Sequence, residues 1–195
     1  MSSVLRNSAN NKMLIIHGGV AVKSYRYSSS INWILTREED YVFNPSTQQI
    51  TAYYGPPGSI IVPDRIGGVP VLGVGPHAFD MADGKGAVVN DVNPLSAIRF
   101  PYYLTDIAES VCYGSNVTHV EFGPHLRTVG PHIFGISAAG GDMQDVTDIV
   151  IYDNVTFESQ WEPMGTWGGA FRAKYAIEGA GIYHWTGTQW DRSDM

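Results

Sequence analysis

The sequence holds a single cysteine, Cys112, which excludes an internal disulfide and a thiolate cluster for zinc. Basic residues are scarce too: 12 Lys and Arg stand against 19 Asp and Glu, a net charge of −7. With no basic stripe to displace counterions, no nucleic-acid partner is expected. Long apolar runs are also missing. Residues 1–11 are polar, and the MLII stretch at 13–16 is too short for a signal-peptide core or a membrane span. The sequence therefore predicts no membrane insertion. It also predicts a protein that either stays inside the producing cell or leaves without a signal, as by lysis with a phage particle. A virion or cell-exterior location reached in that way is favoured over the cytoplasm. Gly-rich phosphate loops, paired-carboxylate motifs and nucleophile elbows are lacking as well, so no enzyme activity and no cofactor are expected.

What the chain does contain is consistent with a folded domain. Hydrophobic residues make up 44% and charged residues 16% of its 195 positions, a balance that supports a core. Its 22 glycines and 11 prolines are spread evenly, as punctuation between many short elements.

Self-similarity is the main feature. Residues 95–101 (LSAIRFP), 117–123 (VTHVEFG) and 146–152 (VTDIVIY) superimpose as apolar, two variable positions, apolar, variable, apolar. Leu104, Ile107 and Val111-Cys112 follow the first copy as Leu126, Val129 and Ile133-Phe134 follow the second. An earlier copy has its strand at 59–63 (SIIVP) and its return at 71–79 (VLGVGPHAF). Five additional residues lie between its halves, in a stretch that includes Gly67-Gly68-Val69-Pro70. Phe100 to Phe122 is a step of 22 residues, Phe122 to Ile151 one of 29, and loops at 81–94 and 135–145 absorb the irregularity.

One such unit cannot bury its apolar side alone, whereas stacked copies form a parallel sheet and supply each other's core. Strand alternation then points Ile98, Phe100, Val120, Phe122, Ile149 and Ile151 inward. Ala97, Arg99, His119, Glu121, Asp148 and Val150 point outward.

Residues 50–55 (ITAYYG), the strand at 60–64 and the segment 67–79 (GGVPVLGVGPHAF) resemble the opening of a BspA-type leucine-rich-repeat array. Residues 170–175 (AFRAKY), then 179–183 (GAGIY) and Trp190, are similar to the segment that closes such arrays. The resemblance covers roughly residues 40–192 and implies a mainly β, right-handed solenoid of about four repeats. Here the array is short, and the family's secretion signal is not seen. Domain boundaries follow: an N-terminal β extension over 1–40, repeats over 41–158 and a C-terminal cap over 159–195. In the cap, residues 169–178 form a helix with Phe171 and Tyr175 facing the sheet. Residues 182–185 and 188–191 form a hairpin. The extension either caps the open end of the stack or docks onto another protein. Its apolar run and the aromatics Tyr25, Tyr27 and Trp33, in a segment that lacks the repeat, point to residues 1–40 as the attachment or oligomer contact.

Cys112 stands at the position of Phe79 and Phe134 and is read as a buried, inert thiol. His77 and His132 share a repeat position two rungs apart, roughly 10 Å, too far for one zinc ion. His119 with Asp148 and Arg99 with Glu121 are neighbours on the outer face, worth ~0.2–1 kcal/mol as surface pairs. The NVT tripeptides at Asn116 and Asn154 are chance matches to a glycosylation acceptor. Trp161, Trp167, Trp185 and Trp190 crowd the C-terminal end and serve either as binding aromatics or as the core of the cap. The candidate binding surface is therefore Arg99, His119, Glu121, Asp148, Trp185 and Trp190. A non-enzymatic binding or attachment module is expected, with a protein partner or cell-surface ligand and a homo-oligomer or larger assembly. The alternative is a phage virion component, of tail, baseplate or fibre, docking through its N-terminal segment.

Overall fold

The structure is a computed structural model. It describes residues 2–7, 12–17, 20–26, 31–79, 95–112, 115, 117–131, 133–134, 146–158 and 165–195. The loops expected at 81–94 and 135–145, the Gly18-Gly19 turn, Tyr27, Asn116, His132 and Trp161 lie outside the described residues, as do the side chains of Tyr25 and Trp167. The chain divides into two compact units, Met1–Asn32 and Trp33–Asp194.

In the first unit β1 (Ser2–Asn7), β2 (Lys12–His17) and β3 (Val20–Arg26) form an antiparallel sheet. Leu5 lies opposite Leu14 and Val4 opposite Ile15, and a bulge between Ile15 and Ile16 shifts the β2–β3 register.

The second unit opens with β4 (Ile34–Leu35) and a 3-10 turn (Glu38–Asp40), followed by β5 (Tyr41–Asn44), β6 (Gln49–Tyr53) and β7 (Gly58–Ile61). Next come β8 (Arg65–Ile66), β9 (Val69–Pro70), β10 (Gly73–Val74), β11 (Leu95–Arg99), β12 (Asp106–Ile107) and β13 (His119–Glu121). The last elements are β14 (Thr128–Val129), β15 (Asp148–Ile151), β16 (Thr156–Phe157), helix α1 (Gly165–Glu178), β17 (Gly181–Trp185) and β18 (Trp190–Ser193).

Apart from the β8–β9 pair, these strands make two mixed sheets, neither closed into a barrel. One is ordered β18-β17-β15-β13-β11-β7-β4, the other β16-β14-β12-β10-β6-β5. In the first, β7, β11, β13 and β15 run parallel and align Ile60, Ile98, Val120 and Ile149 on one row. In the second, Ile50, Val74, Ile107, Val129 and Phe157 align in the same way. The inward residues named from alternation, Ile98, Phe100, Val120, Phe122, Ile149 and Ile151, are all buried. The Phe100 and Phe122 rings stack at 5.6 Å and 4°. Successive turns approach backbone to backbone at Gly130, where an added Cβ would lie 2.7 Å from the Ala108 carbonyl carbon.

The five additional residues of the first copy become the β8–β9 hairpin. Its turn residues Gly67 and Gly68 have φ of 58° and 80°, as a tight two-residue hairpin turn requires. A second left-handed position recurs with the repeat, at His77 (φ 58°) and Ser110 (φ 53°).

At each end of the stack one sheet is finished by antiparallel strands, while β4 and β16 end the other sheet in parallel. Tyr41 and Tyr53, on the β5–β6 pair, pack on Phe79. At the other end, β17 and β18 extend β15, and α1 places Phe171 against Phe157, Tyr183 and Trp190. The Tyr175 hydroxyl donates to the Tyr152 carbonyl at 2.6 Å and accepts from the Val155 amide at 3.1 Å. The helix begins at Gly165, four residues before the expected start, and its burial of Phe171 and Tyr175 is as expected. Trp33–Asp40, assigned by sequence to the extension, belong to the larger unit.

Candidate functional site

Alternation along β11, β13 and β15 puts Arg99, His119, Glu121 and Asp148 on the face turned away from the buried row. Register brings Arg99 beside Glu121 and His119 beside Asp148. The Arg99 guanidinium donates through Nε to Glu121 Oε2 at 2.5 Å. His119, however, does not turn to Asp148. Its Nε2 lies 3.2 Å from Glu121 Oε1 on its own strand, while Asp148 Oδ1 lies 2.9 Å from Nδ1 of His184 on β17. The antiparallel partner Asp148↔His184 was not visible in a pattern that considered only parallel rungs.

The expectation that Arg99, His119 and Glu121 form an open surface is corrected by their burial: they are 6%, 8% and 6% exposed. Trp33 is the reason. Immediately before β4, its indole lies 4.9 Å from the Arg99 guanidinium and meets the His119 ring edge-on at 5.8 Å. A cation against an aromatic face gains electrostatic attraction while its stem is shielded from water. Burial pushes the Glu121 carboxyl up, but the His119 hydrogen bond and the Arg99 charge outweigh it and hold the group below the usual carboxylate range. Burial, and then the Glu121 charge, raise the nearby Tyr152 hydroxyl.

Both Glu121 oxygens are engaged and the group lies under an indole, whereas a general base must reach a substrate proton. Trp190 needs the same correction: it is 2% exposed and packs between Phe171 and Trp185 as core of the cap. Asp148 and Trp185 remain half-buried, beside exposed His184.

A further cluster lies where the strands of the first sheet turn out. Tyr103 packs against the Arg65 guanidinium at 5.1 Å and stacks on His125 at 6.2 Å, while Tyr102 meets His125 edge-on at 4.8 Å. The Tyr102 amide donates to Asp64 at 2.6 Å. All five side chains are half-buried. Sequence reasoning missed this ledge, although a signal was present. Arg65, Tyr103 and His125 each follow their strand's last residue by the same offset, so reading down the repeat columns finds them.

Among the described residues no group of three or more His, Cys, Asp or Glu side chains converges as a metal site. Asn154 is exposed in a left-handed turn (φ 65°). Cys112 is fully buried, and its amide donates to the Ile133 carbonyl at 2.6 Å on the next turn. A thiol reagent added to native protein is expected to label it only on the timescale of unfolding, since the thiolate must be reachable to react. Stoichiometric modification within seconds would show the thiol to be open. In comparisons with known proteins, no family model, no curated protein and no solved structure matches this chain.

Proposed function

We propose that the chain is a non-enzymatic binding and attachment module. In this reading residues 41–158 are a short BspA-type leucine-rich-repeat array used as a rigid scaffold. The observation that carries it is the double parallel ladder, in which successive turns add one strand to each of two sheets. A flat, laterally repeated surface of that kind suits recognition. The surface available for a ligand is then the Asp148–His184–Trp185 region and the Arg65–Tyr103–His125 ledge, since the outer-face charges lie beneath Trp33.

Attachment falls to residues 1–32. The edge of β7 is already paired by β4, with Ile34 beside Ile60 and Leu35 beside Ile61, and Tyr41 and Tyr53 already cover the first turn of the core. Residues 33–53 thus supply cover of the kind weighed for the extension, which supports a docking role for 1–32. A virion component attached through these residues is the second reading, favoured by their compactness as a separate unit.

Two truncations test the proposal. The full chain is expected to sediment as an assembly, and a 33–195 fragment to keep a cooperative unfolding transition and sediment as a monomer. A 37–195 fragment also loses Trp33 and β4, and should be less stable by about 3–5 kcal/mol, the usual cost of a large buried aromatic. A 33–195 fragment that aggregates or unfolds would return residues 1–32 to a capping role.

A further inference from the structure

One planar, hydrogen-bonding side chain stands on each turn of the stack, at the corner where the chain leaves the first sheet. Ile61, Arg99 and Glu121 are in register across β7, β11 and β13, and Arg65, Tyr103 and His125 follow them by one common step. Glu121 is registered with Val150, so the same step reaches Asn154, which is exposed. Parallel strands set successive members of this column ~4.8 Å apart along the stack. A column of that kind offers one recognition group per turn, which suits a ligand built of repeated units.

Much of the column's hydrogen-bonding capacity is unspent. Among the described residues Tyr103 and His125 make ring contacts, and neither the Tyr103 hydroxyl nor a His125 ring nitrogen makes a hydrogen bond. The Arg65 guanidinium donates through Nη1 to the Gly68 carbonyl at 2.9 Å, which uses one of its several N–H groups and seats it on the β8–β9 hairpin. Carboxylates in the adjoining column are engaged by main chain. Asp64 accepts from the Tyr102 amide at 2.6 Å and Asp153 from the Ala180 amide at 2.8 Å. The rings also form a corner: Tyr103 and His125 lie 12° from parallel, and Tyr102 stands across them at 87° and 84°.

Charge and composition select the ligand. Residues 33–195 hold all 19 acidic residues and eight of the 12 basic ones, a net −11, while residues 1–32 hold the other four basic residues and no acid. A polyanion, nucleic acid included, needs a surplus of cations, and the column supplies one guanidinium with a carboxylate in the next column. An apolar protein segment needs aliphatic pockets, and the column contains no aliphatic side chain. A neutral sugar meets both conditions. The C–H face of a pyranose ring lies against an aromatic face, and its hydroxyls both donate to and accept from phenol, imidazole and amide groups.

We infer that the Arg65–Tyr103–His125–Asn154 column binds a neutral polysaccharide laid along the stack, with Tyr102 and Tyr103 as its stacking rings. The inference rests on the reading of residues 41–158 as a binding scaffold and names the ligand class of one of its surfaces.

Titration calorimetry of the full-length protein with a soluble β-glucan, an α-mannan, a galactan and an acidic polyuronate tests this. At least one neutral polysaccharide is expected to bind, and to bind equally at about 50 and about 500 mM salt, because screening acts on charge. Tyr103→Ala should weaken that binding about tenfold or more through loss of a stacking ring. Tyr103→Phe removes the hydroxyl alone and should lose less. His125→Ala, on the next turn, should also weaken binding, whereas Ile177→Ala, at an 85% exposed position on α1, should leave it unchanged. Thermal unfolding checks that each variant is folded; should Tyr103→Ala misfold, His125→Ala and Tyr103→Phe decide the matter. Binding to none of the neutral polysaccharides would overturn the inference. So would binding to the polyuronate alone that fades at high salt, or binding that survives both Tyr103→Ala and His125→Ala in folded protein. Each of these results leaves the attachment reading to the truncations, where an aggregated or unfolded 33–195 fragment overturns it.

Discussion

Replacing Phe122 by alanine is expected to lower the unfolding free energy by about 3–5 kcal/mol, read from the urea midpoint. Phe122 is 5% exposed and stacks on Phe100 within an aromatic column that continues through Phe79 to Tyr41 and Tyr53. It stands in the middle of the ladder, with turns on both sides. A cavity there cannot collapse without shifting the strands above and below, and unrelaxed cavities are the expensive kind. Against a typical total of about 5–15 kcal/mol, the loss would be a large share. A loss of less than about 1 kcal/mol would place Phe122 outside a two-sided core.

The second large effect is expected at Glu121. Glu121→Ala removes the carboxylate that accepts from both Arg99 and His119 beneath Trp33, and should cost about 3–5 kcal/mol, because a buried positive charge then lacks its counter-charge. Glu121→Gln keeps an acceptor of similar shape and should cost less. A pH series adds a second readout. The folded-state carboxyl titrates below its ordinary value, so the stability it provides is fully present above the usual glutamate range near pH 4.3. That stability is lost as pH falls through the lowered folded value. Wild-type protein should therefore lose stability more steeply than Glu121→Gln on acidification below about pH 4.3. Parallel acid profiles for the two proteins would mean that Glu121 is not held ionised by its neighbours.

How much of this was legible in the sequence varied with the distance over which the deciding contact acts. The inward row from Ile98 to Ile151 could be read because strand alternation and repeat spacing specify it locally. The Gly67-Gly68 insertion announced itself as five surplus residues and became a hairpin. The mainly β architecture with a terminal helix and hairpin followed from the same short-range signals. The roof over Arg99 could not be read. Trp33 lies outside the repeats, and nothing local to Arg99, His119 or Glu121 records that an indole from a distant segment will cover them. Pairing of His119 with Glu121, and of Asp148 with His184, was hidden by the same cause: burial and an antiparallel neighbour outweighed rung adjacency. Trp190 looked equally suited to the surface and to the cap until Phe171 and Trp185 enclosed it. The segregation of charge between residues 1–32 and the rest was legible throughout, but whole-chain composition averaged it away.

The most direct test of the central claim, a stacked scaffold to which residues 1–32 are an attached docking element, is a methyl nuclear Overhauser spectrum of the full chain and of the 33–195 fragment. Parallel strands about 4.8 Å apart put the aligned methyl groups within transfer range of their nearest rungs only. The account predicts sequential contacts Ile60–Ile98–Val120–Ile149 on one sheet and Ile50–Val74–Ile107–Val129 on the other, unchanged when residues 1–32 are removed. Loss of either series in the fragment, or contacts that skip rungs in the full chain, would contradict it.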